Sequence, residues 1–146
     1  MKPKLPVSVL VVVATAAEVL LLERKAHPGY WQSVTGSLER PDEPLEETAQ
    51  RELREETGIA AAAGELRRLD LVYTFEIYAQ WRGRFVAGTT HNSEHAFGLR
   101  LAQRAPVTLA PDEHAASLWL PWREAAAKCF SWSNRDAIAH FAPCTS

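Results

Sequence analysis

The apolar positions of the chain begin with two dense runs, residues 7–13 and 19–22, separated by a short polar interval. Both are rich in β-branched or leucine side chains, which suits strands. The spacing predicts paired strands over residues 5–14 and 18–24, joined at residues 15–17. Residues 25–35 carry His27-Pro28-Gly29 and read as a loop. The period then changes from two to nearly four. Leu45, Ala49 and Leu53 recur at i, i+4 and i+8, predicting a helix over residues 44–57 with one apolar stripe. Pro44 supplies a fitting backbone angle at its start, and Gly58 stands where a terminal glycine belongs.

Residues 60–64 form a weak connection. Alternation returns at Leu69, Leu71, Tyr73 and Phe75, predicting a long strand within residues 66–81. Residues 83–92 are polar and loop-like, residues 96–101 a strand, residues 103–112 a turn region, and residues 117–120 a last short strand. Pro121 opens a helix through Lys128, and Asn134 is expected to cap another through Phe141. This order predicts an α/β fold, an α/β/α sandwich around a mixed sheet.

Lys2 and Lys4, the valine run and Ala14-Thr15-Ala16 imitate a secretory leader. A second β-branched run follows at once, so the hairpin is the preferred expectation. No segment is long enough to span a membrane. At 146 residues one domain covering 1–146 is expected. The net charge of −2, with no basic stripe, argues against a nucleic-acid duplex as partner. Cys129 and Cys144 have no metal-binding or redox spacing and fit free thiols of a reducing, cytoplasmic compartment. The oligomeric state stays open, with a monomer as the default.

The chemistry gathers on the first helix. Glu52, Glu55 and Glu56 fall at i, i+3 and i+4 and share one face. Like charges so spaced each destabilise a helix by roughly 0.2–0.5 kcal/mol. A hard divalent cation, which takes oxygen ligands, is the natural compensator, whereas an isolated glutamate cluster is as readily a solvated face. Arg51 lies four residues from both Glu47 and Glu55 and can brace an acidic side chain.

Gly36, Glu43, Arg51-Glu52-Leu53, Glu55-Glu56 and Gly58-Ile59 together resemble the signature of the Nudix hydrolase family. One departure stands out: six residues rather than five separate Gly36 from Glu43, with Pro41-Asp42 where a glycine is usual. The resemblance implies a Nudix fold and a pyrophosphohydrolase that uses Mg²⁺, with Mn²⁺ as a substitute. It implies Glu52, Glu56 and a distal acid, Glu113 with Asp112 as rival, as metal ligands, with the Gly36 carbonyl as a further one. His114 would then support the ligands. Glu55 or Glu113 would serve as base, and Glu56 belongs with them in the catalytic set.

Lys4-Leu5-Pro6-Val7-Ser8-Val9, Tyr30 to Ser37, Phe75-Glu76-Ile77-Tyr78 and Ser131 to Arg135 resemble the members of the family that act on 7,8-dihydroneopterin 3′-triphosphate in bacterial folate synthesis. That likeness implies substrate contacts from Lys4, Arg24, Thr35, Phe75, Glu76, Ile77, Tyr78 and Ser131. The alternatives are a nucleoside triphosphate such as dATP, a dinucleoside polyphosphate, or a non-catalytic Nudix-like binding module. Trp31, Phe75, Tyr78, Trp119, Trp122 and Trp132 are expected mostly in the core, with one or two as a stacking wall for a heterocycle.

His91-Asn92-Ser93-Glu94-His95 matches a zinc-protease pattern that requires a helix. In an extended chain the two histidines stand roughly 13 Å apart. A polar strand segment is therefore expected instead.

Overall fold

A computed structural model describes residues 2–62 and 64–143. Cys144 lies outside the described residues. Strand β1 (Val7–Ala14) is the centre of the fold. Along its whole length it pairs in parallel with β6 (His91–Arg100), from Val7↔Ser93 to Ala14↔Arg100. Its other edge is divided. Antiparallel β4 (Val34–Ser37) takes Ser8 to Val11, and β2 (Glu18–Arg24) joins only at Ala14↔Val19. The predicted hairpin is thus present in outline, but its strands splay apart and make room for β4. The valine run lies inside the sheet, as the strand expectation required.

β2 pairs antiparallel with β7 (His114–Pro121) and with the two-residue β3 (Trp31–Gln32). β5 (Arg67–Glu76) closes the opposite edge against β6. A 3₁₀ turn, Ala79–Arg84, follows β5. Helix α1 (Leu45–Thr57) covers one face; α2 (Trp122–Lys128) and α3 (Trp132–Phe141) cover the other.

The two-sided burial of β1 explains its uninterrupted apolar sequence. Val9, Val11 and Val13 pack with Ala49 and Leu53 of α1. Leu10, Val12 and Ala14 pack with Ala125, Cys129, Ala137 and Ile138 beneath α2 and α3. Leu69, Leu71, Tyr73 and Phe75 all reach this second layer, as their alternation predicts. The register between Arg68 and Val72 nevertheless shifts, and Asp70 takes a left-handed φ of 56° there. The Cys129 thiol is free, and burial pushes its pKa up to about 12.

Several boundaries differ from the sequence reading. The loop expected over residues 25–35 contains β3 and the start of β4, too short to show a period. β6 begins at His91 rather than Ala96, and β7 at His114 rather than Ser117. Polar residues open β6 and His114-Ala115-Ala116 opens β7, and both starts are held by strand pairing rather than marked by an apolar pattern. The cap of α3 is Ser131, whose Oγ accepts from the Asn134 N–H at 3.2 Å. Asn134 instead joins the helix to the β3–β4 bend. Its Oδ1 accepts from the Ser33 N–H at 2.7 Å, and its Nδ2 donates to Ser33 Oγ at 2.9 Å, all buried.

Candidate active site

α1 carries its glutamates across the edge of β4. Gly36 pairs with Val9, so it faces α1, and a Cβ there would overlap the Glu52 carboxylate. Glycine is required at this position by close approach rather than by an unusual backbone angle. Glu52 and Glu56, one helical turn apart, bring their carboxyls within hydrogen-bonding reach of each other.

Glu56 is 1% exposed, and its Oε1 has no hydrogen-bond partner among the described residues. His114 Nε2 lies 3.7 Å from that oxygen. One ligand atom each from Glu56, Glu113 and His114 lie within 4.8 Å of one another. Burial pushes the Glu56 carboxyl well above its ordinary pKa, and Glu52 and Glu113 push it further. Burial also raises Glu52, against the pull of Arg51. His114, buried and beside Arg24, is held below its ordinary value and so stays neutral. Two acids whose ionised forms burial disfavours, an orphaned oxygen on one of them, an exposed third acid and a neutral imidazole together suit a divalent cation.

Arg51 anchors this face. Its Nε and Nη2 donate to the two oxygens of Glu43 at 3.0 Å each, and Nη2 also reaches the Ser37 carbonyl at 3.1 Å. Its Nη1 donates to Glu52 Oε1 at 2.7 Å. Glu43 is buried and also accepts from Thr48 Oγ1 at 2.8 Å and the Glu39 N–H at 2.9 Å. Chiefly through Arg51, these donors hold its pKa down to about 2. At the end of the longer loop, Glu43 is therefore the buried partner of Arg51. The expected Arg51–Glu47 contact is absent among the described residues; Glu47 reaches Arg40 at 3.4 Å. Glu55 is exposed and 3.5 Å from Arg51, outside the Glu56–Glu113–His114 group.

Cations line the opposite rim. Arg24 pairs with His114 across β2 and β7. Residues 4 and 85 form a bridge, and the Lys4 N–H donates to the Arg84 carbonyl at 2.8 Å. Partial desolvation, then Arg24 and Arg84, hold Lys4 below its ordinary pKa; Glu113 and Glu52 oppose them. Arg84 was not legible as a site residue, because only the bridge from Lys4 to the 3₁₀ turn brings it here.

An aromatic cluster lies beside these cations. Tyr30 stacks on Phe130 at 4.8 Å and on His27 at 5.1 Å, and Trp81 follows His27 at 5.7 Å. The Arg24 guanidinium lies over Trp81 and Phe130 at 5.6 and 6.0 Å. Of the aromatic residues expected in the core, Tyr78 and Trp132 are exposed at 64% and 55%. A side chain on a loop or helix end carries no period that would assign its face.

The remaining expected contacts lie on several separate elements. Thr35 presents its backbone N–H to Glu56 and its Oγ1 to Gln32 Nε2 at 3.1 Å. Phe75 is half-buried on β5, Ile77 is buried, and Glu76 pairs with Arg82 at 3.3 Å. Ser131 caps α3. His91 and His95 lie in β6, as expected for a strand, and neither belongs to the acidic group.

This chain is 42% identical over 142 residues to dihydroneopterin triphosphate diphosphatase of Escherichia coli K12, covering 94% of this chain and 93% of that one. It is 33% identical over 138 residues to the enzyme of the same name from Haemophilus influenzae, covering 92% and 85%. The solved structure of the E. coli dihydroneopterin triphosphate pyrophosphohydrolase superposes with a TM-score of 0.88 at 38% identity, covering 97% of this chain and 98% of that one. The NUDIX domain model matches residues 4–141, which takes in the mixed sheet, both helical layers and the glutamates of α1. The chain belongs to the NUDIX domain family.

Proposed function

We propose that this chain is a Mg²⁺-dependent pyrophosphohydrolase that converts 7,8-dihydroneopterin 3′-triphosphate and water to the monophosphate and pyrophosphate. The observation that carries the choice of substrate is the 42% identity, across nearly the whole of both chains, to the E. coli dihydroneopterin triphosphate diphosphatase. The geometry supports the chemistry independently. Glu52, Glu56 and Glu113, with the Gly36 carbonyl, would hold the cation. When bound, it supplies charge neutralisation of the phosphoryl oxygens and a water of lowered pKa. Mn²⁺ offers the same oxygen preference.

The chain's own residues divide the remaining work. Lys4 and Arg24, joined by Arg84, face the acids and balance charge on the phosphate chain. Glu113, exposed beside the buried Glu56, would take a proton from the attacking water. Glu55 is the less favoured base, because it is drawn to Arg51. Neutral His114 packs against Glu56 and keeps bulk water from that carboxyl. Tyr30, Trp81 and Phe130, with residues 75–78 and Ser131, would bound the heterocycle. The described residues contain no helix long and apolar enough to cross a membrane.

The test is a panel of dihydroneopterin triphosphate, dATP, GTP and a dinucleoside polyphosphate, ranked by kcat/KM. The pterin should rank first. A nucleotide preferred over it would overturn the substrate assignment.

A further inference from the structure

β6 carries two buried polar side chains that the phosphate chemistry does not use. Asn92 and Glu94 are 6% and 7% exposed and, two residues apart on a strand, point to the same face. Asn92 Nδ2 donates to Ser8 Oγ on β1 at 2.9 Å, leaving Oδ1 buried with no partner among the described residues. Glu94 Oε1 accepts from Ser133 Oγ at 2.9 Å, its only hydrogen bond among the described residues. Tyr73, directly opposite on β5, does not help, because its hydroxyl donates to Asp136 at 2.6 Å. A buried acceptor that lacks a donor is costly, so such a group calls for a partner.

The surroundings describe that partner. Phe75 stands opposite Asn92, and Trp132 sets its ring edge-on to Tyr73 at 5.4 Å. Ser131 Oγ lies 3.4 Å from Ser133 Oγ, which continues the polar line to the head of α3. The acceptors thus lie between residues 75–78 and Ser131, the segments that the proposed function assigns to the heterocycle. A flat ring entering here meets acceptors rather than donors.

We infer that Glu94 and Asn92 are specificity-determining residues that read the adjacent ring N–H and 2-amino donors of a 2-amino-4-oxopyrimidine, the edge shared by pterins and guanine. An ionised carboxylate accepts both donors in a bidentate pair, and the Asn92 carbonyl takes a further N–H. Adenine and cytosine place a lone pair beside their amino group, so the same carboxylate meets an acceptor. Burial raises the Glu94 pKa to about 7, consistent with a carboxyl that lacks a second donor in the free protein. This inference rests on the proposed heterocycle site and deepens it.

Glu94→Gln, in the full chain with saturating Mg²⁺, should lower kcat/KM for dihydroneopterin triphosphate and GTP by about 10- to 100-fold while changing dATP by no more than about twofold. Glu94→Asp, which keeps the carboxylate, should restore part of the loss. Equal losses on all three substrates, or none, would overturn the inference. A selective loss on GTP in an enzyme that ignores the pterin would leave it standing and remove the substrate assignment instead. Should both variants fail to fold, the wild-type protein decides through fluorescence titration with ligands alone. Dihydroneopterin should bind at least about tenfold tighter than its 2-oxo analogue, and equal affinities would sink the idea.

Discussion

Glu43→Gln tests whether the acid at the end of the long loop braces Arg51. The structure makes Glu43 the buried, bidentate partner of Arg51 and holds its carboxyl at about 2, against an ordinary 4.5. At about 1.4 kcal/mol for each tenfold change in acidity, the ionised form contributes about 3 kcal/mol to folding at neutral pH. Because the folded pKa is lowered, that contribution is complete above 4.5 and fades as pH falls toward 2. Glutamine keeps the shape and removes the charge. Urea unfolding of the variant beside the wild type should therefore show a gap of about 3 kcal/mol at neutral pH that narrows steadily below pH 4.5. A gap under about 1 kcal/mol, the worth of an exposed pair, would refute the reasoning. So would a gap that ignores acid.

Two further variants address the metal face. Glu56→Gln should cost at least about 100-fold in kcat yet melt no lower than wild type in chelator, since a neutral amide mimics the protonated acid. Near-wild-type turnover in saturating Mg²⁺ would remove Glu56 from the ligand set. Gly36→Ala should displace the Glu52 carboxylate and weaken Mg²⁺ binding by about tenfold or more in calorimetric titration. Unchanged affinity would show that the close approach is not needed.

The helix and its glutamates were legible because α1 satisfies two local rules, an apolar stripe and a glycine stop, while breaking a third with like charges on one face. β1 and β5 were legible for the same reason, since burial writes a period into the sequence. What was not legible is long-range. Gly36 is held to glycine by Glu52, Arg84 reaches the rim through Lys4, and Asn134 leaves its cap position for Ser33. The aromatic wall at Tyr30, Trp81 and Phe130 is assembled from three separate loops and helix ends. No local pattern brings such residues together. Glu94 lay inside a motif that the strand conformation rules out for zinc, and its burial became visible only with β5 and α3 in place.

The acids of α1 and Glu113 are proposed to serve one reaction on one substrate, the release of pyrophosphate from dihydroneopterin triphosphate. Product analysis by ion-exchange chromatography, with Mg²⁺ and with chelator, tests it most directly. Equal amounts of dihydroneopterin monophosphate and pyrophosphate are expected with Mg²⁺, and no turnover in chelator. Release of orthophosphate with a diphosphate product, or hydrolysis that survives removal of the metal, would contradict it.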